Sequence, residues 1–152
     1  MISNSEVILR LILAVLLSGL VGLEREAKGR AAGLRTHMLV CVGSCLMTLT
    51  GIYLMDYYPQ AGVDPTRIAA QVISGIGFLG AGTIIQFRDS VRGLTTAASV
   101  WTAAGIGLAV GSGFYVGAVA ATGLVLVVLL MLHKLEDRVG AKSRSGAAGN
   151  PQ

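Results

Sequence analysis

Charge is scarce in this sequence. Asp, Glu, Lys and Arg make up 13% of its 152 residues, about half the share usual in a soluble domain, and that deficit argues against a water-exposed globule. In the central part of every apolar run, Asp, Glu, Lys, Arg and His are missing altogether. A magnesium carrier ordinarily lines its path with oxygen ligands, commonly carboxylates. Their absence disfavours stand-alone divalent-cation transport and leaves only a carbonyl-lined pore as a route. Cysteine is limited to Cys41 and Cys45. At this spacing they share one helix face, too poorly oriented for a bridge and too few for a metal site, so they read as small packing residues. No nucleophile–base pair is visible, and His37 and His133 lie on different segments without metal-ligand spacing. No catalytic residue, metal or cofactor is therefore expected, and the chain reads as a non-enzyme. The start, Met1 to Glu6, lacks a basic n-region and no small-residue cleavage site follows the first apolar run, which is read as retained.

What is abundant is apolar residues, at 53%, and glycine, at 21 residues; mean hydropathy is +0.71. Glycine without a G-X-Y period fits closely packed transmembrane helices. Five apolar runs stand out: Val7–Leu23, Met38–Met55, Ile68–Gln86, Thr95–Val110 and Phe114–Leu132. Each is roughly 16 to 19 residues, near the lower limit for crossing a bilayer. The connections are Glu24–His37, Asp56–Arg67 (broken by Pro59 and Pro65), Phe87–Leu94 and Gly111–Gly113. Lys and Arg gather on alternate connections, with Arg25, Lys28, Arg30 and Arg35 on the first, Arg88 and Arg92 on the third, and Lys134, Arg138, Lys142 and Arg144 in the tail. Positive-inside counting puts the N-terminus outside and the C-terminus in the cytoplasm. Tyr53, Tyr57, Tyr58, Phe114 and Tyr115 then fall at the outer interface, where aromatic rings settle. The expected fold is an all-α polytopic membrane bundle of five transmembrane helices. Residues 1–133 form the transmembrane domain, and residues 134–152 form a short cytoplasmic tail that extends helix five and becomes disordered. A net charge of +4 in such a chain serves topology and anionic lipid headgroups, and no nucleic acid is expected.

Several motifs interrupt this pattern. Gly75-Ile-Gly77-Phe-Leu-Gly80 matches the dinucleotide G-x-G-x-x-G, but it lies inside an apolar run rather than between strand and helix, and that reading is rejected. Ala70, Ser74, Gly77 and Ala81 instead line one face of helix three with small residues, as Ala98, Thr102, Gly105, Ala109 and Ser112 do on helix four. Such faces let helices, or subunits of a homo-oligomer, approach closely. Among the polar residues of the spans, Thr48, Thr83, Ser99, Thr102 and Thr122 can bond back to their own helices. Gln71 cannot do so easily and should face a neighbour or a polar cavity. Trp101 reads as packing. Ser18-Gly-Leu-Val-Gly-Leu23 echoes Ser74-Gly-Ile-Gly-Phe-Leu79, and Gly33-Leu-Arg-Thr36 echoes Gly93-Leu-Thr-Thr96. Those echoes suggest two parallel-related hairpins with a fifth helix appended. At the inner surface, Glu24, Arg25 and Glu26 follow helix one, Arg35 and His37 enter helix two, and Arg88, Asp89 and Arg92 link helices three and four. Glu24 is placed to pair with Arg35 or Arg92 once the hairpins pack.

Three of these stretches occur in order: Gly22-Leu-Glu-Arg-Glu with Ala32-Gly-Leu-Arg-Thr36, then Arg67 to Gly82, then Val91-Arg-Gly-Leu-Thr-Thr-Ala-Ala98. In them the chain resembles the MgtC/SapB/YhiD membrane family, most specifically from about Leu16 to Gly113. The resemblance implies a bacterial inner (plasma) membrane protein, linked in some members to growth under magnesium limitation and survival inside host cells. It also implies regulation of other membrane machines, the proton-translocating ATP synthase among them, rather than magnesium carriage. Carried over by motif position, the candidate functional residues are Glu24, Arg25, Gly33 and Arg35, then Gln71, Gly75, Gly77, Gly80 and Gly82, then Arg92, Gly93, Thr95 and Thr96. Two departures stand against full transfer. Thr95 and Thr102 occupy places where MgtC-type members often carry Asn and Cys, and some twenty residues after Leu132 are too few for the soluble domain many members carry there.

The expected function is modulation of another membrane complex, or stress adaptation of the magnesium-limitation type, through basic cytoplasmic loops and small-residue helix faces. The bilayer, anionic headgroups, a partner complex and a second copy are the expected partners. The alternatives are a small ion transporter or channel with a glycine-rich irregular third helix, and a lipid- or anion-binding scaffold using Arg25, Arg35 and Arg92.

Overall fold

The computed structural model describes residues 2–62, 64–88 and 90–147, with side chains described as far as Met131 except at 61 and 65. The expected linking role of Asp89, the side chains of the basic tail and the disorder expected of its last residues lie outside the described residues. Among the described residues there are five α-helices, α1 (Asn4–Ala27), α2 (Leu34–Tyr57), α3 (Pro65–Ala81), α4 (Leu94–Gly111) and α5 (Tyr115–Ala147), and a short 3-10 turn at Pro59–Ala61. Of these, α1, α2 and α4 are long and apolar enough to cross a membrane by length and composition. The apolar part of α5 described here, Tyr115–Met131, is shorter, as is α3 with 17 residues.

Local chemistry accounts for the helix starts. Ser3 caps α1 by accepting from the Glu6 amide, 3.3 Å away, in the S-x-x-E pattern of a capping box. Asp64 caps α3 by accepting from the Thr66 amide at 2.9 Å, with Pro65 in the first turn. The Thr66 hydroxyl and amide together hold the Asp64 carboxylate below its ordinary pKa. Gly33 precedes α2 and has no side chain to offer; the Glu26 carboxylate instead accepts from the Leu34 amide at 2.8 Å. A Cβ at residue 33 would strike that carboxylate, so the first motif needs glycine there for its cap.

The third apolar run departs from expectation. It was expected to stay helical to Gln86, yet α3 stops at Ala81, with Gly82 as its C-cap. The chain then forms an antiparallel hairpin of β1 (Ile85–Phe87) and β2 (Ser90–Arg92), which pairs Ile85 with Arg92 and Phe87 with Ser90. Closely spaced glycines weaken the helix end, and Thr83, Ile84 and Ile85 favour extended backbone. Apolarity alone does not separate the two conformations. Gly93 closes the hairpin at φ +92°, where a Cβ would run into the Thr83 carbonyl oxygen.

In the packed bundle α2 and α4 meet along the centre, α1 lies against both, α3 against both, and α5 against α1 and α4. The two expected hairpins are thus adjacent helix pairs joined through α2 and α4. Ala14, Leu17, Cys41, Cys45, Ile106 and Val110 form an apolar core, and both cysteines are free and fully buried. Within the chain, the expected small-residue stripes are not the faces on which the helices pack. On α4 the close approach is made by Gly107 and Gly111: a Cβ would lie 2.9 Å from Ser44 Cβ at the first and 2.7 Å from Thr48 Cβ at the second. Gly105 and Gly77 face open space, and Ala70, Ser74, Gly77 and Ala81 are all exposed. Small residues occur all round α4, so spacing alone could not choose the packed face. Trp101 is likewise half-exposed rather than packed. The hydroxyls behave as expected: Thr48, Thr83, Ser99, Thr102 and Thr122 each donate to a carbonyl of the preceding turn at 2.8–2.9 Å.

Candidate functional site

Two polar layers bracket the apolar core. One lies where α1 ends and α2 and α4 begin. Gly22 brings α1 against α2 there, with room for a Cβ only 2.7 Å from Leu34 Cα. Beside it His37 is fully enclosed. Its Nδ1 lies 2.8 Å from the Gly33 carbonyl and its Nε2 3.1 Å from Ser99 Oγ, while Ser99 Oγ lies 2.8 Å from the Thr96 carbonyl. A carbonyl only accepts, so Nδ1 carries a proton; in the neutral ring Nε2 is then an acceptor, and the single Ser99 hydroxyl proton serves either Nε2 or the Thr96 carbonyl. One chain of hydrogen bonds therefore joins the first motif to the third. It also brings a histidine and a serine together, where the sequence offered no such pair. Both side chains are sealed in packing, at 0% and 4% exposed, which suits a clamp between α2 and α4.

Glu24 and Arg25 lie in the same layer. The Arg25 side chain is 4% exposed and that of Glu24 7%, with Nη1 3.4 Å from the carboxylate. Glu24 thus pairs with its sequence neighbour and not with Arg35 or Arg92, as the charge pattern had suggested. Arg35 points outward into the exposed surface, and the Arg92 guanidinium covers the Phe87 ring at 5.5 Å. Among the described residues, the buried Arg25 Nε has no hydrogen-bond partner.

The remaining expected site residues divide by exposure. Gly80 is buried, its Cβ direction 3.6 Å from Ala97, and Thr96 is buried. Gly82, Arg92 and Thr95 are exposed at the charged end, and Gln71, Gly75 and Gly77 on the outer side of α3. Gln71 therefore does not face a polar cavity within the chain. Gly75 instead borders an apolar groove of about 440 Å³ between α2 and α3, together with Leu39, Gly43, Met47, Val72 and Leu79. The structure does not bring Gln71 together with Glu24 or Arg92.

The opposite layer was missed by sequence reasoning. Arg10 is 7% exposed and donates to the Gly111 carbonyl at 2.7 Å and the Tyr115 hydroxyl at 2.9 Å, while pairing with Glu6. It fastens α1 to the α4–α5 turn, where Gly113 takes φ +83°. A lone arginine inside an apolar run, one helical turn after a glutamate, was the available signal.

The sequence model of the MgtC family matches residues 11–138. The chain is 42% identical over 143 residues to the Escherichia coli K12 protein named "Putative magnesium transporter YhiD", covering 92% of this chain and 66% of that one. It is 45% identical over 132 residues to protein MgtC of Salmonella typhimurium LT2, covering 87% and 54%. A Haemophilus influenzae protein is 42% identical over 140 residues, covering 89% and 59%. The chain thus spans between about half and two thirds of the length of these curated relatives. No solved structure matches it. With the expected motifs in place on a bundle of apolar helices, and a family match over most of its length, the chain belongs to the MgtC family.

Proposed function

We propose that this protein is a non-enzymatic, multi-pass protein of the bacterial inner membrane. In this reading its five helices all span, with the N-terminus outside and the charged end in the cytoplasm, where it modulates another membrane complex under magnesium limitation. The observation that carries the reading is the apolar core. Between the Arg10 layer and the Glu24–Arg25–His37 layer the interior is filled mainly by Ala14, Leu17, Cys41, Cys45, Ile106 and Val110. The buried hydroxyls of Ser18, Ser44 and Thr122 each donate to a carbonyl of their own helix, and among the described residues an ion crossing there would meet no carboxylate in place of its water. What is left outside, Arg35, Arg92 and Thr95, is a surface for contact. The test is affinity purification of the full chain from native membranes at low and normal magnesium. A larger complex recovered at low magnesium and lost in an Arg35→Gln/Arg92→Gln variant is the expected result. Recovery of this chain alone in both conditions overturns the proposal.

A second reading, a magnesium transporter or ion channel, draws on the name given to YhiD and on the outward Gln71, Gly75 and Gly77 of α3. It needs a second copy to complete a path along α3. Magnesium flux into proteoliposomes that falls in Gln71→Leu would favour it.

A further inference from the structure

The β1–β2 hairpin is an unusual surface for water. Ile85, Phe87, Val91 and the flanking Leu94 are each about half exposed, yet the segment also carries Arg88 and Arg92. Strand alternation and the pairing of Phe87 with Ser90 and Ile85 with Arg92 put Ile85, Phe87, Ser90 and Arg92 on one face, with Gln86 and Val91 on the other. Phe87, Arg88, Ser90 and Arg92 line a cleft of about 390 Å³. The Phe87 ring lies 5.5 Å from the Arg92 guanidinium carbon, a contact that orients the cation. Two guanidinium forks and a hydroxyl are donors suited to phosphate oxygens. Asp89, between the two arginines in sequence, carries the opposite sign.

A second feature adjoins the hairpin root. Gly93 lies against the Thr83 carbonyl, and Thr83 in turn borders a crevice of about 460 Å³ lined largely by apolar groups, among them Ala32, Thr36, Phe78, Leu79 and Val100. The hairpin joins the end of α3 to the start of α4, a helix apolar enough to cross a bilayer. In a membrane the cationic cleft therefore sits at headgroup level and the apolar crevice beside it.

We propose that the hairpin and the crevice at its root together seat one anionic phospholipid, its phosphate among Arg88, Ser90 and Arg92 and an acyl chain along Thr36, Phe78 and Val100. This rests on membrane placement alone and holds under either functional reading. The experiment is native mass spectrometry of the full chain released from micelles containing phosphatidylglycerol or phosphatidylcholine. One retained phosphatidylglycerol per chain is expected, in preference to phosphatidylcholine. Arg88→Gln and Arg92→Gln should weaken retention about fivefold each and roughly 25-fold together, the effect of basic residues at an anionic surface. Thr36→Phe, which fills the crevice without touching an arginine, should also lower retention of the lipid. Equal retention of phosphatidylcholine, or retention unchanged in both the double arginine variant and Thr36→Phe, overturns the proposal. Displacement of the lipid by inorganic phosphate also overturns it, because the cleft is then a free-phosphate site.

Discussion

Whether Glu24 and Arg25 fix the bundle or serve a partner can be decided by a double-mutant cycle. Their nearest charged atoms are 3.4 Å apart, and an effective dielectric of about 20 makes that attraction worth roughly 5 kcal/mol. Burying the two ions costs several kcal/mol each, and the unpartnered Nε of Arg25 adds about 1–3 kcal/mol. Those costs equal or exceed the attraction, so the pair as a whole adds no net stability, while breaking it is costly. Glu24→Gln or Arg25→Met alone should each destabilise by about 3–5 kcal/mol, because each strands a buried charge. The double variant should recover most of that loss. Equilibrium unfolding in mixed micelles, followed by helical circular dichroism, gives the coupling energy. If the two single losses add to within about 0.5 kcal/mol, the charges are not a buried pair and the reasoning fails. The same proteins settle the role: the double variant should keep any co-purifying complex, whereas Arg35→Gln/Arg92→Gln should lose it.

Gly107→Ala should destabilise by about 1–3 kcal/mol through overpacking of α2 on α4, while Gly105→Ala should be near neutral; equal effects in an unfolding titration would mean the packed face has been misassigned. His37→Phe removes both side-chain hydrogen bonds and leaves the Gly33 carbonyl only the amide of residue 37, 3.2 Å away, which should cost about 1–3 kcal/mol. Ser99→Ala should cost less, since Gly33 keeps its partner; the reverse order refutes the clamp. Arg10→Met should free the α4–α5 turn and raise amide exchange around Gly111 and Gly113, and unchanged protection there would show that Arg10 fastens nothing.

Much of this architecture was legible because membrane helices declare themselves by length and lack of charge. The runs at Val7–Leu23, Met38–Met55 and Thr95–Val110 fall within α1, α2 and α4. The third run hid its ending, because Thr83, Ile84 and Ile85 are as apolar in a strand as in a helix. Small-residue faces were ambiguous for a related reason: glycine marks where a neighbour can come close, and only the fold decides whether one does. Pairings between distant segments, such as Arg10 with Tyr115 or His37 with Ser99, depend on helix rotation, which periodicity constrains weakly in helices apolar on every side.

The charged motif therefore changes meaning once folded. Gly22 admits α2, Gly33 makes room for the carboxylate of Glu26, and Glu24 and Arg25 pair with each other inside the protein. The glycines and the Glu26 cap hold α1 to α2, and a partner cannot touch Glu24 or Arg25 without unpacking the end of the bundle. What a partner can reach is a different set: Arg35 at the start of α2, Arg88 and Arg92 on the hairpin, Thr95 at the start of α4, and the outer face of α3, where Phe78 is 82% exposed. Long, exposed cations steer and orient encounters, while apolar anchors supply most of the holding energy. A partner that reads this protein should therefore register on the hairpin arginines and grip along α3, so Phe78→Ala should weaken a recovered complex more than any single arginine substitution does.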